Sequence, residues 1–269
     1  MRSSMKPHLK QPIVKASVHI AHSKDFVAFH ADLRARLQSG SHLTLYGPRG
    51  SGKSSLVAML HEHYRSIGIP CGVASHISGL PDIVSALLQA YPDTDIEGLS
   101  KRAARFRLHA AADRVRGVLL LDHTTAMTTA MIGFLRRLRG GIAGALLVAD
   151  VDSESERMRM RAWRSGALSV RMPLISYDQL HRHCLGICAQ CGLPTIEQRT
   201  MRQIVRAARG RVGWISECMR RLQTPEYWSE GRLHAAILCT DTEIAVRESH
   251  RGPRLRPQNL RSRSKAVNP

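Results

Sequence analysis

Short apolar runs bounded by glycine, proline or aspartate alternate along this chain with stretches whose apolar residues recur at helical spacing. The runs His42–Tyr46, Cys71–Ser75, Val118–Asp122, Ala145–Asp150 and Ala167–Met172 predict strands. Helical spacing predicts a helix over Asp25–Gln38, where Phe26, Phe29, Leu33 and Leu37 share a face and Gly40 supplies the stop. The same spacing predicts helices over Pro81–Ala90, Lys101–Val115, Thr128–Arg139 and Glu154–Trp163. Strand and helix in alternation imply a parallel sheet covered on both faces, because every parallel crossover carries a helix over the sheet. After Pro173 the strand signal ends, and the patterns Tyr177–Cys191, Thr195–Arg209, Val212–Leu222 and Gly231–Glu248 predict a smaller all-helical unit.

Composition sharpens this picture. With 269 residues, 43% hydrophobic but only 4% aromatic, the chain reads as an α/β protein rich in aliphatic side chains rather than an aromatic-rich barrel. Six cysteines are too sparse for a disulfide framework and fit a reducing compartment. No segment has the length and apolarity of a signal peptide or a membrane span, so a cytoplasmic location is expected. The net charge of +19 points to a polyanionic partner, with nucleic acid preferred over an anionic membrane surface.

That charge is gathered at particular places. Arg2, Lys6, Lys10, Lys15 and Lys24 precede the first acidic residue, Asp25, and residues 1–40 read as a basic arm followed by a helix. Beyond residue 248, Arg251, Arg254, Arg256, Arg261, Arg263 and Lys265 lie among Pro, Ser and Asn, a composition that cannot bury a core, so 249–269 is expected to be a disordered basic tail. Internal clusters occur at Lys101-Arg102, Arg105, Arg107, Arg136-Arg137 and Arg139. Aromatic residues scarcely interleave with them, which implies sequence-tolerant contact with the DNA backbone, weakened steeply by salt.

The candidate chemistry begins where the first strand ends. Gly47-Pro48-Arg49-Gly50-Ser51-Gly52-Lys53-Ser54 matches the pattern G-x-x-x-x-G-K-[ST] in full, between a predicted strand and a predicted helix. Such a loop turns its backbone N–H groups toward phosphates and sets them at a helix N-terminus, so these eight residues with Ser55 form the expected nucleotide-binding set. Lys53 is expected to neutralise the β- and γ-phosphates, and Ser54 to ligate Mg²⁺. The buried run Val118-Leu119-Leu120-Leu121 ends in Asp122, a carboxylate suited to the same Mg²⁺. ATP and Mg²⁺ are therefore the expected cofactors.

A phosphate loop, an apolar strand ending in aspartate, a further strand and a helical C-terminal unit together resemble the AAA+ ATPases over about Ser41 to Leu222. Compact size and basic ends are similar to the initiator-like group and to the ATP-binding helper proteins of DNA transposition systems. The resemblance implies an ATPase unit over 41–173, a helical lid over 174–248 and a shared active site in a ring or filament. It also implies a sensor at the end of the fourth strand, where Asp150 stands, although an aspartate there also suits a helix N-cap. An arginine finger is implied among Arg157, Arg159, Arg161 and Arg164, with Arg161 and Arg164 preferred. Two positions depart from the family. His123 follows Asp122 where a glutamate usually activates water, and Gly213 stands where a sensor arginine is usual, with Arg211 nearby. An imidazole can accept a proton, yet its presence there predicts slow hydrolysis.

The resulting expectation is an ATP-binding, DNA-binding protein that oligomerises and regulates or recruits a recombinase, transposition or replication factor. A catalytically inactive interaction scaffold is the alternative. A small-molecule kinase fits less well, because a long helical unit follows the last strand, and guanine specificity lacks an Asn-Lys-x-Asp segment. His181, His183, Cys184, Cys188 and Cys191 include a C-x₂-C spacing, but Leu180, Cys184, Ile187, Cys188 and Cys191 recur at helical spacing and are expected to pack as small hydrophobes.

Overall fold

The computed structural model describes residues 24–250 except 76, 125–127, 139–140, 143, 151–166, 191, 194–195 and 230–231. The predicted helix at Glu154–Trp163, the N-terminal arm to residue 23 and the tail from 251 lie outside the described residues.

Five parallel strands form the sheet: β1 His42–Gly47, β2 Cys71–Ala74, β3 Val118–Leu121, β4 Gly144–Asp150 and β5 Leu168–Arg171. Their spatial order is β2-β3-β4-β1-β5, so β1 is interior and its C-terminal end opens beside that of β4. Alternation along each strand divides the apolar side chains between two faces. Leu43, Leu45, Val118, Leu120, Leu146 and Val148 pack with α1 (Lys24–Gln38) and α2 (Lys53–Ser66). Leu119, Leu121, Ala145, Leu147 and Ala149 pack with α3 (Leu80–Ala90), α4 (Lys101–Arg114) and α5 (Thr129–Leu138). Strands buried on both faces are the reason these segments are nearly continuous apolar runs.

Local chemistry fixes the helices against the sheet. Asp82 caps α3 by accepting hydrogen bonds from the Ser78 and Gly79 amides at 2.7 and 2.9 Å, and these bonds lower its carboxyl pKa. A side chain at Gly72 would run into the Ala86 carbonyl, so only glycine lets α3 lie this close to β2. Ser100 caps α4, accepting from the Ala103 amide at 3.2 Å.

The apolar cluster on the α1/α2 face continues through Met172 into α6 (Tyr177–Gln190), α7 (Gln198–Ala207), α8 (Val212–Arg221) and α9 (Ala235–His250). Leu180, Cys184, Ile187, Met201, Ile204, Ile215, Cys218 and Leu238 form its interior here. The expectation of a purely helical stretch is corrected at one point. A 3₁₀ turn at Pro225–Tyr227 leads into an antiparallel pair, β6 Trp228–Ser229 and β7 Arg232–Leu233, so the last helix starts at Ala235 rather than Gly231. Two-residue strands are too short to carry a periodic signal.

Cys184, Cys188 and Cys218 are buried thiols in this interior. The Cys188 thiol lies 4.0 Å from Met219 Sδ, and Cys218 Sγ lies 2.9 Å from Thr242 Oγ1. Burial pushes the Cys184 thiol up to about 12 and the Cys218 thiol up to about 11, so both stay protonated and pack as small hydrophobes. Cys191 lies outside the described residues. Among the described residues no helix is long and apolar enough to cross a membrane.

Candidate functional site

The loop that leaves β1 is shaped by left-handed glycines. Gly50 has φ +80° and Gly52 φ +94°, conformations that L side chains rarely adopt, and Gly52 is the N-cap of α2. The loop therefore folds back on itself and presents the uncapped start of a 14-residue helix at its mouth. Gly52 has no side chain with which to cap this helix.

Lys53, in the first turn of α2, is buried to 4% exposure. Its Nζ donates to the Gly47 and Pro48 carbonyls at 2.9 and 2.8 Å and to Ser51 Oγ at 3.4 Å. The ammonium is thus held over the concave side of the loop, in a place where a charge is costly to desolvate and well satisfied by anionic oxygen. Ser54 is exposed at the same end, followed by Ser55.

Asp122 and His123 come to this end of the sheet from β3. The Asp122 amide donates to the Ala74 carbonyl at 2.8 Å, which carries the ladder one residue past β3 and fixes a carboxylate that is only 5% exposed. His123 then turns sharply, with φ +48°, and its amide donates to Asp122 Oδ1 at 2.9 Å. The turn aims the imidazole across the site: Nε2 lies 3.2 Å from Ser54 Oγ and 3.8 Å from Asp122 Oδ2. Ser54, distant in sequence from Asp122 and His123, therefore joins them in one polar cluster next along the chain from Lys53. Asp150 pairs in register with Gly47, so its backbone stands at the mouth of the loop; its side chain is not among those described. Arg157, Arg159, Arg161 and Arg164 lie outside the described residues.

The other wall of the loop comes from α8. The Gly213 amide donates to the Gly50 carbonyl at 2.8 Å, and Arg211 Nη1 donates to the Arg49 carbonyl at 3.3 Å. Trp214 lies over Gly50 so closely that a methyl group there would stand 2.9 Å from its Cδ1. Its indole Nε1 is buried and, among the described residues, makes no hydrogen bond. Arg211 thus reaches the loop instead of lying free on the surface, and Gly213 is the point at which two backbones touch. Sequence reasoning passed over Trp214, and the available signal was a bulky aromatic directly after a glycine at a helix start.

No protein-family model and no curated protein sequence matches the chain. Solved structures do match it. A glycine loop after the interior strand of a five-stranded parallel sheet with helices on both faces defines a Rossmann-like α/β fold, which these structures share. Within that class the chain is similar to domain III of the replication initiation protein DnaA of Thermotoga maritima, at TM-score 0.55 and 11% identity, over 86% of this chain and 98% of that one. It is also similar to a Walker-type ATPase of Pyrococcus abyssi, at TM-score 0.57 and 13% identity over 84% and 75% of the two chains. The Orc1 protein of Aeropyrum pernix, solved in complex with DNA, matches at TM-score 0.51 and 18% identity over 88% and 69%. At these identities the likeness is one of fold alone.

Proposed function

We infer that this chain is an ATP-dependent switch. In this reading it binds ATP and Mg²⁺ at Gly47–Ser55, hydrolyses ATP slowly, and assembles as a ring or filament on DNA to recruit or regulate a recombination, transposition or replication partner. The observation that carries the reading is the positive-φ glycine loop closed around Lys53, with Ser54 and Asp122 at its edge. The residues fit the ligand. The loop amides and the start of α2 bind anionic oxygen, and Lys53 exchanges its two carbonyl partners for phosphate oxygens at similar hydrogen-bonding cost. Ser54 and Asp122 are the oxygen donors for Mg²⁺, which when bound neutralises charge on the phosphates.

Slow hydrolysis follows from His123. Its Nε2 is engaged with the Ser54 hydroxyl, so the imidazole is tied to the cation-binding group and is not poised as a free base. The same contact favours the second reading, a nucleotide-binding scaffold without turnover. Asp150 as a sensor, and Arg161 or Arg164 as a finger reaching a neighbouring subunit, belong to the proposal through the AAA+ resemblance. The fold of DNA-binding initiators and the net charge of +19 support the nucleic-acid part.

Phosphate release with duplex DNA present, in the wild type and Lys53→Ala, separates the two readings. The switch requires a slow rate that the substitution removes, whereas equal background rates leave only the scaffold. In Lys53→Ala, ATP affinity is expected to fall by about ten- to a hundredfold, the loss of one charge-assisted hydrogen-bonding group. DNA affinity compared at one salt concentration in the apo, ADP and non-hydrolysable ATP states tests the coupling, and identical values in all three overturn it.

A further inference from the structure

Away from the glycine loop, α4 is anchored to the core by Leu108 and Ala112, both fully buried, and its remaining surface opens into a groove of about 940 Å³. Lys101, Arg102, Arg105, Phe106 and His109 line it from α4, and Arg137 lines it from α5. The α4 residues lie at i, i+1, i+4, i+5 and i+8, a stripe that repeats about once per turn, 5.4 Å along the helix. Among the described residues none of the four cations is in an ion pair. Arg107, by contrast, is held elsewhere, donating to the Asp95 carbonyl at 2.9 Å.

Phe106 stands in the middle of this stripe at 75% exposure. A lone exposed apolar residue is ordinary, but a phenyl ring flanked by four unpaired cations in a concave surface combines two recognition elements. His109 adds a second flat surface. Its ring is tilted against Phe134 with centroids 5.1 Å apart, and burial together with the neighbouring Arg137 lowers its pKa against the opposing pull of Asp113, so it contributes shape more than charge.

We propose that this groove is a binding site for single-stranded nucleic acid, with backbone phosphates on Lys101, Arg102, Arg105 and Arg137 and an unstacked base on Phe106. In a duplex the bases are already stacked and paired, so phosphates reach the cations but nothing reaches the ring. An acidic peptide engages the cations and leaves the phenyl without a planar partner. The proposal rests on the DNA-binding reading and deepens it by naming the form of DNA and the residues that meet it.

The test is fluorescence anisotropy of the full chain with a labelled oligo-dT and with a duplex carrying the same number of phosphates, at one salt concentration. Phe106→Ala is expected to weaken oligo-dT binding about tenfold, to leave duplex binding and thermal stability unchanged, and to be rescued by Phe106→Trp. Arg105→Ala is expected to weaken binding and to reduce the salt slope for the single strand by about 0.7. Oligo-dT affinity unchanged by Phe106→Ala overturns the proposal, as does a loss shared equally with duplex. Displacement of oligo-dT by polyglutamate at the concentration at which unlabelled oligo-dT displaces it also overturns it, and assigns the groove to an acidic peptide. Duplex binding without oligo-dT binding sinks this proposal alone, whereas a wild type that binds neither sinks the DNA reading with it.

Discussion

Gly50 shows how much one residue constrains. Its φ of +80° excludes an ordinary side chain, and Trp214 occupies the space such a side chain would fill. Gly50→Ala is expected to cost about 2 to 4 kcal/mol, part from the left-handed backbone and part from overpacking against the indole. In a Trp214→Ala background only the backbone part remains, so the same substitution should cost about 1 to 2 kcal/mol less. Urea unfolding of the four proteins in a double-mutant cycle measures the difference, and additivity of the two substitutions would show that ring and loop do not press on each other. His123, at φ +48°, and Arg209, at φ +51°, are the non-glycine residues with positive φ among the described residues. The strain at His123 falls at the candidate site, where a fold can hold an unfavourable conformation in place by its surroundings.

At the scale of elements, the seam between α1 and α2 carries a titratable cluster remote from the loop. His30 is lowered from 6.5 to about 4, by burial first and then by Arg34 and His63. His63 is lowered as well, and Arg34 Nη1 lies 3.0 Å from its Nε2. The folded form keeps His30 neutral while the unfolded chain takes up a proton below pH 6.5. Its contribution to stability is therefore complete above 6.5 and is lost as pH falls toward about 4. Thermal unfolding across that window should show a midpoint that falls with pH in the wild type and falls less steeply in His30→Gln; parallel curves would locate the acid sensitivity elsewhere. The elements themselves were largely readable from the sequence, for a physical reason. Val118–Leu121 is buried at every position, and Phe26, Leu33 and Leu37 repeat at the helix period because one face of α1 meets the sheet. The glycine loop was readable because it is contiguous. Its contact with Gly213 and Trp214 was not, since no local pattern reports which distant helix closes a loop. Phe106 stands in the sequence between Arg105 and Arg107, an aromatic inside a basic cluster, and helical phase places it opposite the buried positions of α4, Leu108 and Ala112.

For the whole molecule, the bond between the Gly213 amide and the Gly50 carbonyl joins the sheet's phosphate-type loop to the helices that follow residue 172. Ligand held by the loop should therefore be felt in α8. Hydrogen exchange with a non-hydrolysable ATP is expected to slow the peptide containing Gly213 in the wild type but not in Lys53→Ala, and equal exchange with and without nucleotide would mean that loop and helix respond independently. The bond has a further consequence. A protein that grips α8 and draws Gly213 away removes support from the loop, and by linkage it loosens the nucleotide by the same factor by which the nucleotide opposes its own docking. Under the proposed function, recruiting a client and ejecting a spent nucleotide would become one event, with the client itself as the exchange factor.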